Sequence, residues 1–137
     1  MAKYNITPKK DKNAKYQALL NEETKDRLRD EILRIIVTEG KYRDRDYNTR
    51  RLAEDLHTNS RYVSAVCATR FHKNYRELIN DYRVNDAMSL LTDKRYQKMS
   101  IEDIAEMAGF STRQSFYSNF YKRLGVTPRQ YRESHIQ

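Results

Sequence analysis

The side chains best suited to recognising another molecule lie between Ser111 and Lys122, where polar and aromatic residues share one short segment. Phe116 and Phe120 stand four residues apart, so they would bury one side of a helix. Arginine and glutamine match the hydrogen-bonding edges of guanine and adenine in the DNA major groove. The segment therefore predicts a helix that presents base-reading groups. Its outer side would carry Arg113, Gln114, Ser115, Ser118, Asn119 and Lys122.

A second helix is expected to precede this one and to hold it in place. Ser100 is placed to cap that helix, and Ala105 lies on its apolar side, where a partner helix can approach closely. Gly109 should end it, because glycine adopts a left-handed backbone without penalty. Ser111 is expected to cap the next helix, with Gln114 at its third position. Together these features predict a helix-turn-helix.

A looser copy of the pattern lies upstream, at an offset of 52 residues, from Arg50 to Phe71. Asn48 and Asn59 are the expected caps of its two helices. His57 stands where the second copy has Gly109, so the first turn must take its special conformation without glycine. Any all-helical protein contains capped helix pairs. Two copies in matched order, each with a basic second helix free of acidic residues, favour a functional repeat instead.

Length and composition indicate an all-α fold of about seven helices. The 137 residues include three glycines and two prolines, and no long segment alternates apolar with polar residues. The formal net charge of +8 favours a polyanionic partner. No acidic residue occurs from 59 to 73 or from 111 to 132, so the basic charge is concentrated around the two proposed recognition helices.

Other classes of function have little support in the sequence. No phosphate-binding glycine loop, nucleophile elbow or acid–base pair is present, so we do not expect an enzyme. The scattered His57, His72 and His135 suggest no zinc site, and we expect no cofactor. Cys67, the single cysteine, excludes an internal disulfide and is expected to be a small semi-buried thiol. Without a signal peptide or membrane span, we expect a cytoplasmic, nucleoid-associated protein.

Five segments are expected along the chain. The helix after Asn21 should run to about Thr38, with Gly40 as its end. A linker helix capped by Asn74 should reach about Thr92, which is ~27 Å at ~1.5 Å per residue. Such a helix could hold two recognition helices near the ~34 Å repeat of the major groove. The segments are a basic flexible arm (1–20), an N-terminal helix with a charged loop (21–46), the first helix-turn-helix (47–73), the linker helix and connection (74–98), and the second helix-turn-helix with a C-terminal helix (99–137).

The run AGFSTRQSFYSNFYKRLGVTPRQYR resembles the signature of the AraC/XylS family of bacterial transcription regulators. In that pattern a helix ending in Gly-Phe precedes a recognition helix with Phe-x-x-x-Phe, followed by Gly-x-x-Pro and Tyr-Arg. The resemblance covers residues 47–133, roughly two thirds of the chain. It implies two homeodomain-like helix-turn-helix subdomains joined by a long helix, and recruitment or blocking of RNA polymerase at promoters. The residues in register are Gly109, Phe110, Phe116, Phe120, Lys122, Gly125, Pro128, Tyr131 and Arg132.

The resemblance also assigns roles to side chains on double-stranded DNA. Arg61 is the only strong hydrogen-bonding reader in the first unit, so we expect weak reading there, or reading of DNA shape. The base-reading residues by position are Arg61, Ser64 and Ala65 in the first unit and Arg113, Gln114, Ser115 and Ser118 in the second. Contacts with the DNA backbone are expected from Arg70, Lys73, Asn119, Lys122, Arg123 and Arg129.

Several alternatives stay open at this point. Basic helical bundles also bind RNA or acidic proteins, although polar faces on helices disfavour recognition of single strands. A monomer can use both units on an asymmetric site, whereas a dimer would read a palindrome. About 46 residues precede the first unit, too few for the β-barrel sensor common in the family. We therefore expect either a small stand-alone regulator or the output domain of a larger sensor.

Overall fold

The structure, a computed structural model, describes residues 21–135, and every regular element in that range is helical. The predicted all-α fold with about seven helices is therefore confirmed for this part of the chain. The basic arm expected at 1–20 lies outside the described residues. The α-helices are α1 (Glu22–Leu33), α2 (Thr49–Asp55), α3 (Ser60–Val66), α4 (Tyr75–Thr92), α5 (Ile101–Ala108), α6 (Arg113–Leu124) and α7 (Pro128–Ser134).

Four short helical turns complete the described chain. A π-helical turn, Arg34–Thr38, continues α1 before Gly40 takes a left-handed conformation, which confirms the predicted end of this helix. A second π-helical turn, Cys67–Phe71, continues α3. The connections expected to be irregular contain 3₁₀ turns at Lys41–Arg43 and Lys94–Tyr96. Sequence periodicity had predicted the helices but not the change in their winding.

Side-chain caps begin the helices where the sequence predicts them, with one exception. The cap of α6 is Thr112 rather than Ser111, because the Thr112 hydroxyl accepts a hydrogen bond from the Ser115 N–H at 3.0 Å. The helix therefore begins one residue later than expected, and Arg113 is its first residue. The confirmed caps are Asn21, Asn48, Asn59, Asn74 and Ser100. Thr127 caps α7 in the same way.

The described chain separates into two compact units that interleave along the sequence. The first comprises residues 21–39 and Tyr47–Leu78, and the second comprises Gly40–Asp46 and residues 79–135. The segment Gly40–Asp46 therefore belongs to the unit of the second helix-turn-helix, although it lies before the first one in sequence. Each unit contains one helix-turn-helix with its own buried side chains.

In the first unit, α1 and α2 both pack against α3. His57 makes the turn between α2 and α3 with φ +57°, so a left-handed residue does occur there without glycine, as expected. Phe71 follows α3 in the π-helical turn and is half-buried. The largest fully buried side chains of this unit are Ile32, Ile36, Leu52, Val63 and Val66.

In the second unit, the two phenylalanines of α6 form the centre of the core. Phe116 and Phe120 are fully buried, with ring centroids 5.6 Å apart, and Phe110 lies 5.1 Å from Phe116. The Tyr-Arg pair of the motif has a structural role. Tyr131 packs edge-on to Phe120, and the Arg132 guanidinium donates hydrogen bonds to backbone carbonyls at the end of α4 and in the connection after it.

Cys67 is fully buried, and desolvation raises the pKa of its thiol to about 11 from a reference value of 9.0. We expect it to be inert in the folded protein, since a shift of this size leaves about 100-fold less thiolate at pH 8. Labelling with a thiol reagent should be slow in buffer and rapid in denaturant. Equal labelling rates under both conditions would contradict this burial.

Candidate nucleic-acid interface

The exposed side of α6 carries a continuous row of polar side chains. Because Phe116 and Phe120 are buried on the opposite side, Gln114, Ser118 and Lys122 project away from the core at four-residue spacing, and all three are exposed. In residues 21–135, none of these three side chains makes a hydrogen bond or ion pair with another residue. Their donors and acceptors are therefore available to a ligand along about two turns of helix.

Arg113 is oriented by two neighbours but remains accessible. Its guanidinium carbon lies 4.8 Å from the centroid of the Tyr117 ring, and its Nη1 lies 3.5 Å from Oε2 of Glu102. The Arg113 side chain is 69% exposed, so the ion pair contributes about 0–1 kcal/mol and can be exchanged for another partner. Stacking on the ring and the loose carboxylate contact together hold the planar fork near the start of α6.

Two side chains predicted to contact the DNA backbone form hydrogen bonds within the protein. The Asn119 amide donates to the Ser115 carbonyl at 2.9 Å, and Arg123 Nη1 donates to Asn119 Oδ1 at 2.9 Å. Arg123 Nε also donates to Asp81 Oδ1 on α4 at 2.7 Å. These bonds fasten α6 to α4, so Arg123 and Asn119 stabilise the recognition helix from its half-buried flank. The Ser115 side chain, on the same flank, is half-buried. Lys122 and Arg129 are exposed.

The first unit offers fewer groups on its recognition helix, α3. Arg61 is exposed and Ser64 is half-buried. Ala65, expected to face DNA, is fully buried, which corrects that expectation: its methyl group packs inside the unit and cannot contact a base. Because Ala65 is buried, Arg61 and Ser64 are the remaining predicted base-reading residues of this unit. Lys73, after the helix, is exposed.

Arg70, expected to contact phosphate, forms ion pairs with α1 in the structure. Its Nη2 lies 2.7 Å from Glu22 Oε2, and its Nε lies 2.9 Å from Asp26 Oδ1. The hydrogen bond to Glu22 raises the pKa of Arg70, and the same bond lowers the pKa of Glu22. Two carboxylates offset the charge of this guanidinium, so its structural role is to join the π-helical turn after α3 to α1.

The structure adds interface candidates that the sequence reading had missed. Tyr117 supports Arg113, and Tyr121 is 57% exposed one turn further along α6. The four-residue spacing of Arg113, Tyr117 and Tyr121 was a signal that could have revealed both tyrosines. Arg45 lies near the start of α6 and lines a cleft with Arg113. Nothing in the sequence around Arg45 indicates that this residue lies near the start of α6.

The turn of the second helix-turn-helix is enclosed by backbone from the segment Gly40–Asp46. Gly109 has φ +105°, and a Cβ atom built on it would lie 2.3 Å from the carbonyl oxygen of Tyr42. Arg83 Nε donates to this carbonyl at 2.7 Å, and Arg43 forms a bidentate pair with Asp86 at 2.8 and 2.9 Å. The hydrogen bond to Asp86 raises the pKa of the Arg43 guanidinium. Both arginines therefore secure the segment against the turn.

Among residues 21–135, no group of three or more His, Cys, Asp or Glu side chains could hold a metal ion. Within the same range, no helix is both long and apolar enough to span a bilayer.

The paired short helices, the left-handed turns between them and the polar outer faces define a helix-turn-helix protein. Residues 52–134 match the model of a protein family described as a helix-turn-helix domain. This chain belongs to the AraC-type helix-turn-helix family of DNA-binding transcription regulators.

Relatives and solved structures agree with this assignment. The chain is 34% identical, over 82 residues, to the melibiose operon regulatory protein of Escherichia coli K12; the match covers 60% of this chain and 26% of that protein. The C-terminal domain of the response regulator yesN from Fusobacterium nucleatum aligns with a TM-score of 0.68 at 29% identity, covering 76% of this chain and 96% of that one. The C-terminal domain of AraT, a response regulator from Geobacillus stearothermophilus, aligns with a TM-score of 0.68 at 26% identity over 82% and 86% of the two chains. This chain therefore spans about a quarter of the length of the melibiose regulator.

Proposed function

We propose that this chain regulates transcription by inserting α3 and α6 into two successive major-groove segments of a promoter. The observation that carries the proposal is the outer face of α6, where Arg113, Gln114 and Ser118 are exposed above a fully buried pair of phenylalanines. Guanidinium, amide and hydroxyl groups on one helix face can form hydrogen bonds with base edges. The smaller polar face of α3 supports a second, weaker reading unit.

The proposed contacts divide into base reading and backbone binding. Arg113 is suited to guanine O6 and N7, because its planar fork donates two parallel hydrogen bonds, and Gln114 can pair in the same way with adenine. In the first unit Arg61 is the main proposed base-reading residue, and Ser64 is the second. Lys73, Lys122 and Arg129 are the proposed phosphate contacts, since all three are exposed cations.

The first unit is proposed to depend partly on DNA shape. With Ala65 buried and Ser64 half-buried, Arg61 is the one long polar side chain among the readers proposed for α3. One strong reader gives little discrimination among base pairs, because a good bidentate contact contributes about 1–3 kcal/mol. The width and deformability of the DNA groove would supply the remaining discrimination among sequences. We therefore propose an asymmetric site, read strongly by α6 and weakly by α3.

Binding of this kind places the chain beside RNA polymerase in the cytoplasm, where it would recruit the enzyme or block it. A monomer suffices, because two different reading units on one chain need no palindrome. A palindromic site selected from random duplexes would instead favour a dimer.

We expect binding to be bipartite and strongly salt-dependent. The proposed interface contains five exposed cations, Arg61, Lys73, Arg113, Lys122 and Arg129. Neutralising about five phosphates gives a slope of log K against log salt of about −5. A footprint on a site selected from a random duplex pool should show two protected boxes about one helical turn apart, within roughly 20 base pairs. Titration at several salt concentrations, together with footprinting, measures both quantities. One short box, or a slope shallower than about −2, would contradict engagement of both units.

Two controls separate the alternatives. Gln114→Ala/Ser118→Ala should weaken protection of one box, and Arg61→Ala should weaken protection of the other, because each change alters the proposed readers of a single unit. Single-stranded RNA at matched salt serves as the control ligand. If it binds more tightly than the selected duplex, the chain is an RNA-binding module and the proposal fails. Binding of all duplexes only at the nonspecific limit of ~10⁻⁴–10⁻⁶ M would also contradict it.

A further inference from the structure

We infer that Arg45 is a further DNA-contacting residue, which the segment Gly40–Asp46 places beside the start of the recognition helix α6. This inference rests on the proposed function and extends it to a residue outside both helix-turn-helix motifs. The contact would be with a phosphate flanking the bases read by Arg113. Arg45 lies before the first helix-turn-helix in sequence, so neither motif includes it.

The backbone around Arg45 is fixed on both sides. Arg83 donates to the carbonyls of Tyr42 and Asp44 at 2.7 and 3.2 Å, and the Asp44 side chain accepts from the Asp46 N–H at 2.9 Å. The 3₁₀ turn Lys41–Arg43 packs on α5. Arg45 therefore projects from a short, well-fastened loop, which limits the conformational entropy lost when its side chain binds.

The location of Arg45 points to the same ligand as Arg113. Both arginines line an open cleft, together with Ser111, Thr112 and Tyr117. These last residues surround the first turn of α6, the end that enters the groove when a recognition helix docks. A duplex docked on Arg113 would bring its sugar–phosphate backbone past the rim of this cleft.

Arg45 differs from its neighbour Arg43 in its ion pairing. Arg43 is neutralised by its bidentate pair with Asp86. Arg45 is exposed, and within residues 21–135 its guanidinium has no hydrogen bond or ion pair. Glu102 and Glu106 also line the cleft, so the competing role for Arg45 is to offset their charge without touching DNA. A phosphate contact and a charge offset predict different salt dependence.

The test compares Arg45→Ala with the intact chain on the preferred duplex and on its single-base variants. Loss of one phosphate contact should weaken every duplex by about three- to tenfold near 0.15 M salt and should reduce the salt slope by about one. Arg45→Lys should retain most of the slope, because a phosphate accepts a point charge. The matched control is Arg95→Ala, which removes the same charge from a surface arginine paired with Asp93 and should leave the slope unchanged.

Each outcome decides the matter separately for the two proposals. If the intact chain fails to bind duplex DNA, the proposed function is wrong. If the intact chain binds and Arg45→Ala gives the same affinity and slope, only the role of Arg45 is wrong. A loss confined to one base pair would also overturn the phosphate contact, since phosphates carry no base identity. Equal losses of affinity for Arg45→Ala and Arg95→Ala would show that the effect arises from net charge alone.

Discussion

Replacing Gly109 with alanine should destabilise the second unit by about 2–5 kcal/mol, because a backbone cost of about 1–2 kcal/mol and a steric cost of about 1–3 kcal/mol add together. Two costs combine at this position. A left-handed backbone, here with φ +105°, disfavours any residue with a side chain, by about 1–2 kcal/mol. The added methyl would also lie 2.3 Å from the Tyr42 carbonyl oxygen, which is backbone and cannot rotate away. The segment Gly40–Asp46 would have to leave the turn.

Gly125→Ala is the matched control, because it isolates the backbone term. Gly125 has φ +71° at the end of α6, and nothing lies within 4 Å of its would-be Cβ atom. It should therefore cost only about 1–2 kcal/mol. Urea denaturation, monitored by circular dichroism, gives the free energy of unfolding of both variants. Similar losses for the two variants would show that the contact with Tyr42 adds nothing to the requirement for glycine.

Arg113→Ala and Lys122→Ala should have different effects on DNA binding, although both remove a positive charge from α6. Arg113 is the first residue of the helix and is stacked on Tyr117, so its loss should cost about 1–3 kcal/mol on the preferred site and flatten the preference at one or two base pairs. Lys122 lies about two and a half turns further on, where the helix should leave the groove. Its loss should weaken all sequences equally and reduce the salt slope by about one.

A library of single-base operator changes, titrated with both variants, measures this difference. Tyr117→Leu is an informative companion, because it removes the ring that supports Arg113 while keeping an apolar side chain. Tyr117→Leu should cause part of the same loss of base preference as Arg113→Ala, without changing the net charge. If Arg113→Ala instead lowers affinity evenly at every position, Arg113 contacts only the backbone. The specificity of the second unit would then rest on Gln114 and Ser118.

The local features of this fold could be predicted from sequence because their causes are local. A cap needs one short polar side chain three residues before an amide, so Asn48, Asn59 and Ser100 could be found from spacing alone. The left-handed turn at His57 followed from alignment of one repeat with the other. At α6 two adjacent hydroxyl residues could each serve as the cap, and spacing did not distinguish Thr112 from Ser111.

The roles of individual basic side chains could not be predicted, because they depend on partners distant in sequence. Arg70 meets Glu22 across 48 residues, and Arg123 meets Asp81 across 42. A positive charge on a recognition helix looks the same in sequence whether a carboxylate neutralises it or not. The orientation of Ala65 could not be predicted for a related reason. A methyl group can face either the core or solvent, and only packing decides which.

The interleaving of the two units has a consequence for how such a chain can be inherited and engineered. A single crossover between the two helix-turn-helix motifs, for example before Ile79, would separate the second motif from Gly40–Asp46. The transplanted half would lose the backbone that covers Gly109 and the acceptors of Arg83. Recombination should therefore favour exchange of the pair as a block, with new specificity arising by substitution on the recognition helices rather than by shuffling of halves.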